Sequence, residues 1–454
     1  MSVLSKGAAA SSSAAVLKNA SADIANPVTH SALDFFEAPS VLVTYDGSHD
    51  QEYFPQNGCS GPTLEFVLGG GDNRNFIDLN CIQLGLQVAI YDQTGKQKLD
   101  SDDAHTVIFA NNTLHSLFSQ CELFLNGVLV AESNNTYHHR AFIETEVTTN
   151  ETSKNTWTAC QGYTYDPTPQ LVVKSPWILR RIADTLTNEY TEHLYGTLYV
   201  DFFTCEKLLL PDITVRIKLY RSSNDFCLMS CADDSATTFC AVIERASLFV
   251  RKIQVTESTK LSIERALLKS PARYPYIETL CKSFIIQSGQ NVFVREAIFG
   301  TEPIRRITLC MVTNANFKGV KDTNPFHYSS FGLNKIELLR GGGMPIGGTP
   351  VDISNKTRLY HNTLAALGFG NSSNGIKLSE FDNHFILVFD LTPSHEASKS
   401  LTLFPQLTGT PLTLKLSFAT ALTEAVELYM LGEKFSQIFV DSCRNISKNH
   451  SIFT

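Results

Sequence analysis

One strand–turn–helix pattern occurs twice in this chain, and the two copies lie about half a chain length apart. The first copy, LFSQCELFLNG, occupies residues 117–127, and the second, FGLNKIELLRGG, occupies residues 331–342. Each is followed, after a loop, by a segment with helical character. Aligning Glu122 with Glu337 gives an offset of 337 − 122 = 215 residues in a chain of 454. The repeat predicts a duplicated β-domain, although two unrelated strand–turn–helix units would also look alike over so short a segment.

The length of the chain also favours two domains, because a single hydrophobic core stops growing at about 250–300 residues. Residues 1–32 are rich in Ala and Ser and lack periodic apolar positions, which predicts a flexible N-terminal arm. The run SSNDFCLMSCADDSATTF interrupts the strand pattern near the middle of the chain. We therefore predict a first domain over residues 33–225, a linker over 226–240, and a second domain with a C-terminal tail over 241–454.

Short apolar runs with β-branched and aromatic residues, separated by Gly, Asn, Asp and Pro, indicate a β-protein. Helical patterns are scarce, and tight turns are expected at Asn126-Gly127, at Gly341–Gly343 and at Leu431-Gly432-Glu433. The predicted helices are 136–147, 175–186 and 355–367. The predicted strands are 63–68, 82–91, 121–125, 198–203, 213–219, 246–255, 283–286, 306–312, 335–339, 385–389, 412–418 and 425–431.

The combination of strands and duplication predicts the fold class. Two antiparallel β-domains of about 200 residues fit jelly rolls better than propellers or solenoids, whose repeats are about 20–50 residues long. We therefore predict an all-β protein with two tandem eight-stranded jelly rolls, a double jelly roll, with short helices in the excursions between strands.

Charge and hydropathy exclude several classes of partner. The formal net charge of −8 and the pI of about 5.9 do not favour direct, sequence-specific nucleic-acid binding, which needs clustered Lys and Arg. No apolar run approaches the ~20 residues that span a bilayer, so no membrane span is predicted. The eleven cysteines lack disulfide-framework spacing and follow no signal-peptide core, so we expect reduced, mostly buried thiols in an intracellular protein.

The sequence offers few candidates for metal or acid–base chemistry. His138-His139-Arg140 with Asp166 or Glu144 is one, but adjacent histidines on a helix point about 100° apart and rarely share a ligand. A surface or interface role is therefore the favoured interpretation of this group. Cys227, Cys231 and Cys240 lack paired zinc-ligand spacing, so no metal site is predicted.

Other motifs also have a plain structural interpretation. The glycine runs at 69–71 and 341–343 lack the trailing Gly-Lys-Ser/Thr of a phosphate loop. The acidic pairs at 102–103 and 233–234 are adjacent in loops, where they cannot flank a glycosidic bond. For the adjacent arginines Arg180-Arg181 and Arg305-Arg306, interface or intramolecular ion pairs are favoured over contact with a genome. We predict no catalytic residue and no cofactor.

Three segments resemble a known family. They are residues 64–127, which include LEFVLGGGDNRNFIDLNCIQLGLQVAI and NNTLHSLFSQCELFLNG, residues 324–348, NPFHYSSFGLNKIELLRGGGMPIGG, and residues 414–446, LKLSFATALTEAVELYMLGEKFSQIFVDSCRNI. In this order they resemble the major capsid proteins of Polinton (Maverick) elements and adintoviruses. Residues 227–240 and 371–375 lie outside the resemblance.

The resemblance implies a double jelly-roll subunit that forms a homotrimer, a pseudo-hexameric capsomer that tiles an icosahedral shell around a DNA genome. Two similar barrels in each of three chains place six similar wedges around one axis, so only threefold symmetry is needed. Implied partners are further copies of the chain, a penton-type single jelly-roll protein and minor capsid proteins. The implied location is the virion, assembled in the nucleus or cytoplasm of a host cell.

Two other functions remain open at this stage. A host-domesticated or lectin-like tandem jelly-roll binding protein could keep the fold without forming a shell. An enzyme of the cupin or glycosidase kind is disfavoured, because a cupin metal site needs a spaced cluster of histidines that this sequence lacks. We expect a structural protein and not an enzyme.

Overall fold

The computed structural model describes residues 44–69, 75–100, 105–167, 169, 175–230, 238–341, 343–353, 356–369, 372–393, 395–398 and 409–449. The described residues form one compact unit. The predicted N-terminal arm over residues 1–32 lies outside the described residues, as do the acidic pairs at 102–103 and 233–234.

Strands make up most of the described structure, and the helices between them are short. The strands are β1 Tyr45–Tyr53, β2 Thr63–Leu68, β3 Asn75–Tyr91, β4 Val107–Phe109, β5 Phe118–Leu125, β6 Val128–Glu132, β7 Thr191–Thr197, β8 Val215–Arg221, β9 Leu228–Ser230, β10 Cys240–Val255, β11 Ala272–Ile286, β12 Val292–Arg295, β13 Arg306–Thr313, β14 Leu333–Arg340, β15 Met344–Pro345, β16 Val351–Asp352, β17 Ile386–Asp390, β18 Leu412–Phe418, β19 Val426–Val440 and β20 Ile446–Asn449. The helices are α1 Thr113–Ser116, α2 Tyr137–Thr148, α3 Glu151–Lys154, α4 Pro176–Thr187, α5 Asn224–Cys227, α6 Glu257–Leu267, α7 Asn314–Lys318 and α8 Lys356–Leu367, with 3-10 helices at Thr158–Gln161 and Asp201–Thr204.

The sheets of the two halves have the same strand order. The first half forms sheets β1-β10-β3-β7 and β2-β8-β5-β6, and the second half forms β11-β19-β13-β17 and β12-β18-β14-β15. The eight barrel strands are β1, β2, β3, β5, β6, β7, β8 and β10 in the first half and β11, β12, β13, β14, β15, β17, β18 and β19 in the second. When they are numbered 1 to 8 along the chain, the two sheets have the orders 1-8-3-6 and 2-7-4-5 in both halves. All of these pairings are antiparallel. Two facing sheets with this connectivity form an eight-stranded jelly roll, and the chain contains two.

The sequence repeat coincides with one strand of each barrel. β5 and β14 are separated by 333 − 118 = 215 residues at their first residues and by 340 − 125 = 215 at their last. After β5, Asn126 and Gly127 have φ angles of 47° and 81°, as a two-residue hairpin turn requires. The prediction of a duplicated β-domain with an Asn-Gly hairpin turn is confirmed.

Each barrel has its own apolar core, because inward and outward side chains alternate along its strands. In β2, Leu64, Phe66 and Leu68 are fully buried while the residues between them are half-buried. They belong to the core of the first barrel, and Leu414 and Leu416 of β18 hold similar places in the core of the second.

Two local predictions were wrong for identifiable reasons. Residues 198–203 were predicted as a strand, but Asp201–Thr204 forms a 3-10 turn, and its apolar side chains are buried without a strand partner. Gly432 was predicted in a turn, but it lies within β19, where it pairs with Leu280 and Ile307. A Cβ atom at Gly432 would lie 2.6 Å from the ring of Phe299, so close packing, not chain reversal, accounts for this glycine.

Strand β10 belongs by its pairing to the first half. It begins at Cys240, the last residue of the predicted linker, so the rest of the strand falls within the predicted second domain over residues 241–454. In the structure it pairs with β1 on one side and with β3 on the other. The chain passes from the first barrel to the second only after this strand, through α6.

The three predicted helices are present as α2, α4 and α8, with boundaries within one residue of those predicted. Within the described ranges, no helix has the length and apolar character of a transmembrane helix. The ten cysteines that the structure describes are free, and the buried ones are Cys121, Cys205, Cys227, Cys281 and Cys310. Cys160 and Cys443 are exposed, so burial is less general than the sequence analysis expected.

Truncating one core leucine in each barrel tests whether both cores are needed. Leu123 and Leu338 occupy equivalent places in β5 and β14, and both are at least 98% buried. We predict that Leu123→Ala and Leu338→Ala each lower the free energy of unfolding by about 2–5 kcal/mol. Chemical denaturation would measure this, with Ser417→Ala on the outward side of β18 as a control expected within about 0.5 kcal/mol of wild type. A loss in only one of the two leucine variants would contradict the prediction.

Candidate functional site: the junction between the two halves

A third apolar cluster lies between the two barrel cores. It contains side chains of both halves, so it is the contact that joins them. The first half contributes Ile108, Ala110, Phe142, Ile143, Val147, Tyr163, Trp177, Ile178, Phe226 and Met229, and the second contributes Cys281, Cys310, Val312, Phe326, Tyr328, Ile386, Tyr429 and Leu431.

The junction covers the outer face of the sheet β11-β19-β13-β17. In β13, Leu309 and Met311 point into the second barrel core, whereas Cys310 and Val312 point into the junction, and all four are buried. All five residues of β17 are buried as well. A strand that is buried on both faces has a near-continuous apolar sequence, as these strands do. The first half therefore takes the place of solvent on this face.

Helix α2 provides much of the covering surface. His139 is fully buried and stacks on Phe317, with ring centroids 4.3 Å apart and an interplanar angle of 5°. Its Nε2 atom lies 3.1 Å from the carbonyl oxygen of Phe317, and its Nδ1 lies 3.0 Å from the hydroxyl of Tyr328. Because a carbonyl oxygen can only accept, Nε2 donates and Nδ1 accepts from the tyrosine. Burial lowers the pKa of His139 to about 4, so the ring is neutral at neutral pH.

The group His138-His139-Arg140 is buried at the junction and does not lie on the surface, so of the predicted surface or interface role only an interface role remains. His138 and Arg140 are 7% and 4% exposed. The ring of His138 lies 3.9 Å from that of Phe226, and its Nδ1 lies 3.2 Å from the carbonyl oxygen of Phe118. Polar residues can be buried here because each finds a partner from a distant part of the chain.

Arg140 forms the main ion pair at this junction. Its Nε donates to Glu144 at 2.7 Å, and its Nη atoms donate to both carboxylate oxygens of Asp201. Asp201 also accepts from the backbone N–H of Thr279 at 2.9 Å and from its hydroxyl at 3.0 Å. Since Thr279 belongs to β11, Asp201 links the first half to the second.

A second charged cluster connects the halves near β17. Glu146 of α2 and Lys154 of α3 are 1% and 2% exposed, and the Lys154 Nζ lies 3.6 Å from Glu146 Oε1. His384, from the second half, lies with its Nδ1 3.1 Å from the same oxygen. Its Nε2 donates to the backbone carbonyl of Asp166 at 2.8 Å, and Tyr163 donates its hydroxyl proton to Glu146. The predicted partner Asp166 thus contacts His384 through its backbone carbonyl.

The pKa values of this cluster are shifted in opposite directions. Burial lowers the pKa of His384, but the Glu146 carboxylate raises it by more, so that it lies above 6.5. Burial raises the pKa of Glu146, but Lys154 and His384 lower it by more, to about 2. His384 and Glu146 thus stabilise each other's charged forms across the junction.

A cavity of about 500 Å³ lies beside the junction, between apolar side chains such as Ile143 and Leu198. The carboxylates of Glu144, Asp201 and Glu433 line it, and each is paired with an arginine. Each of these three carboxylates therefore has a neighbouring guanidinium that partly neutralises its charge.

The remaining sequence candidates form intramolecular contacts. Arg306 pairs with Glu433 at 2.5 Å, and Arg305 lies 3.7 Å from the same carboxylate. Arg181 lies 3.3 Å from Glu192, and Arg180 lies 4.0 Å from Asp184 on the exposed side of α4. The interpretation as intramolecular ion pairs is confirmed. Among the described residues, no group of three or more His, Cys, Asp or Glu side chains could hold a metal ion, and Cys231 lies outside them.

Sequence reasoning did not find Asp201, Glu146, His384 or Tyr429. Their signal in the sequence is a charged or polar residue inside an apolar run, as in LYVDFF around Asp201 and NHFILVF around His384. Such residues are buried only when paired. The partners cannot be identified from the sequence, because they lie up to 293 residues away, as for Tyr429 and Thr136.

Removing Asp201 would leave the Arg140 guanidinium and the Thr279 N–H buried without their acceptor. We predict that Asp201→Ala lowers the free energy of unfolding by about 3–5 kcal/mol. The matched control is Asp184→Ala, which breaks an exposed ion pair and should cost about 0.5 kcal/mol or less. Urea denaturation of both variants would measure the difference, and equal losses would contradict a structural role for Asp201.

The charged cluster makes stability depend on pH. His384, with its pKa raised above 6.5 by folding, contributes stability in full below pH 6.5 and loses it as the pH rises through the raised value. Glu146, with its pKa lowered from 4.5 to about 2, contributes above pH 4.5 and loses its contribution as the pH falls towards 2. Both contributions are therefore present between pH 4.5 and 6.5.

We predict that His384→Gln removes the His384 part of the stability loss above pH 6.5. Urea midpoints measured from about pH 6 to about pH 9 would fall less steeply in this variant than in wild type. The exposed His395, which lies outside the junction, offers the control His395→Gln, which should keep the wild-type slope. An unchanged slope in His384→Gln would rule out a charged His384 in the folded state.

Comparisons with known proteins agree with this architecture. No protein-family model matches the sequence. The uncharacterized protein F54H12.2 of Caenorhabditis elegans is 22% identical over 408 residues, which cover 85% of this chain and 93% of that protein.

Solved viral structures share the fold at low sequence identity. A chain of the Sputnik virophage has a TM-score of 0.64 and 11% identity, covering 95% of this chain and 94% of its own. The mavirus major capsid protein has a TM-score of 0.59 and 9% identity, covering 93% and 94%, and the faustovirus major capsid protein has a TM-score of 0.57 and 9% identity, covering 90% and 93%. The likeness spans both barrels and the junction between them. The fold of this chain is a double jelly roll.

Proposed function

We propose that this chain is a major capsid protein, a structural protein that forms homotrimeric, pseudo-hexameric capsomers, and that these tile an icosahedral viral shell around a DNA genome. The observation that carries the proposal is that two barrels with the same strand order are joined by a buried junction. The likeness to viral capsid chains over at least 90% of both proteins supports it.

The geometry of the subunit suits this role. Three copies of a two-barrel chain supply six similar units around one axis, which makes a nearly hexagonal tile from threefold symmetry. For such a tile, the two barrels of a chain must keep a fixed relative orientation. The Arg140–Asp201–Thr279 contacts and the Glu146–His384 contact supply directional bonds across the junction that resist rotation and sliding.

We infer a more specific relationship to Polinton elements and adintoviruses from the sequence resemblance. Its second-half segments, residues 324–348 and 414–446, contain β14, β15, all of β19 and most of β18, so they include strands of both sheets of the second barrel. On this proposal the protein resides in the virion after assembly inside a host cell. Its partners are further copies of itself, a penton-type single jelly-roll protein and minor capsid proteins, and it acts without a cofactor or catalytic residue.

We also propose revised domain limits. The first jelly roll extends from β1 through β10, whose last residue is Val255, and α6 connects it to the second, which begins with β11. The strand pairing of β10 supports this division over one that places the boundary within residues 226–240.

One observation favours a second candidate function, a host-domesticated tandem jelly-roll protein that no longer forms shells. The C. elegans protein shares sequence with this chain over 93% of its length, so an animal genome encodes a similar chain. Electron microscopy of the chain, co-expressed with a penton-type single jelly-roll protein, would distinguish the two candidates. Closed shells would support the capsid function, and a soluble oligomer without shells in the presence of that partner would favour the second candidate.

We predict that the purified chain is a trimer at micromolar concentration, because a capsomer needs large obligate contacts of about 2,000 Å² or more. Size-exclusion chromatography with light scattering would then give a mass three times the 50.3 kDa of the chain. A folded monomer under these conditions would contradict the proposed function.

A further inference from the structure

The two halves differ in whether the outer face of their equivalent sheets is covered. The outer face of β11-β19-β13-β17 is buried in the junction, whereas the outer face of the equivalent sheet, β1-β10-β3-β7, is open. On it, His193 and Tyr195 of β7 are exposed, and Gln87 of β3 and Phe249 of β10 are half-buried. These side chains surround a shallow cavity of about 320 Å³ over Gly85. An aromatic-lined concave surface of this kind is a common feature of protein interfaces.

The second-half sheet shows what kind of element covers such a face. There the covering element is α2, whose third, sixth and tenth residues are His139, Phe142 and Glu146. His139 packs beside Tyr429 of β19, with ring centroids 6.0 Å apart, and Phe142 stacks on Phe326 at 4.2 Å. Glu146 faces His384 just before β17. One side of the helix thus lies against the sheet and the loops beside it.

The equivalent helix of the second half has no such contact. α8 has the same length as α2 and occupies the same place between the fifth and sixth barrel strands. Its third, sixth and tenth residues are Arg358, His361 and Ala365, and all three are exposed. Its fourth residue, Leu359, is buried in its own barrel core, just as the fourth residue of α2, Arg140, faces its own half through Asp201. Both helices thus turn their fourth residue towards their own half, although α2 packs beside β5 whereas α8 packs beside β17, where Thr363 Oγ1 accepts from the backbone N–H of Val388.

Among the described residues, the outer face of β1-β10-β3-β7 and the outer side of α8 are thus both exposed, and the internal equivalents of these two surfaces contact each other. We propose that α8 of one copy packs on the outer face of β1-β10-β3-β7 of the next copy. The contact between chains would repeat the contact that α2 makes within the chain. This inference rests on the proposed trimer and specifies which surfaces form it.

The dimensions and the charges agree with this contact. A helix of 12 residues is about 18 Å long, and the outer strands of a four-stranded sheet are about 14 Å apart, so α8 can cross the whole face. The open sheet carries the exposed acids Glu52, on the edge strand β1, and Glu244, on β10, and the exposed Arg245 lies 3.6 Å from Glu52. Arg358 and His361 of α8 can approach these carboxylates. The contact joins two different surfaces, so it generates a ring, which closes with three copies when neighbouring barrels are rotated by about 60° both within the chain and across the contact.

Cysteine cross-linking of the full chain tests the contact directly. His361→Cys would be combined with Tyr195→Cys in one variant and with Gln87→Cys in another, both in a background with Cys160→Ser and Cys443→Ser. Oxidation should yield covalent dimers and trimers on a non-reducing gel for at least one pair. The control pair joins Tyr195→Cys with Lys377→Cys, an exposed position (71%) outside α8, and should remain monomeric on the same gel.

A steric variant provides an independent readout that does not depend on disulfide geometry. Ala365→Trp adds a large side chain to an exposed position, so the barrel should fold normally while the contact is blocked. We expect the dissociation constant of the trimer to rise at least about tenfold, with Lys377→Trp unchanged as the control. If wild type is a trimer but neither pair cross-links and Ala365→Trp associates normally, the inference is wrong and the proposed function stands. If wild type is a monomer, both are wrong.

Discussion

The architecture depends on the burial of one sheet face, the outer surface of β11-β19-β13-β17, by helix α2 and its neighbouring loops. Strands β13 and β17 carry apolar side chains on both faces. Exposure of this second face to water would cost about 25 cal/mol for each Å². The second barrel therefore requires the first half as its cover, and the two barrels form one structural unit.

Apolar burial alone would leave the relative position of the barrels loosely defined, because apolar contacts are not directional. The polar groups of the junction supply the direction. His139 must donate to Phe317 and accept from Tyr328, and Asp201 must receive both Arg140 and Thr279. An unpaired buried donor or charge costs several kcal/mol. A shifted arrangement of the barrels would break these bonds without replacing them, so the junction favours a single orientation.

The sequence predicted the strands, turns and helices better than it predicted which side chains are buried and what they contact. The 215-residue offset matches β5 and β14 at both ends, because strand, turn and helix signals are local. The sequence left a surface role and an interface role open for His138–Arg140 and could not decide between them, because burial depends on partners such as Asp201 and Tyr328 that are distant in sequence. Gly432 was misassigned for the same reason, since the constraint on it is the ring of Phe299. Burial and close packing thus depend on contacts between residues that are distant in sequence, which local patterns cannot predict.

The outer faces of α2 and α8 carry different residues because their contacts form at different times. α2 meets its sheet within the same chain, so that contact forms during folding and can contain buried residues such as Phe142 and Ile143. On the proposed assembly, α8 meets its sheet only when copies associate, and until then its outer face must remain soluble. Large exposed apolar patches promote aggregation, which explains Arg358, His361 and Ala365 at the equivalent positions. At the sixth residue, for example, α2 has the buried Phe142 where the contact is permanent, and α8 has the exposed His361 where the contact has to wait for a partner.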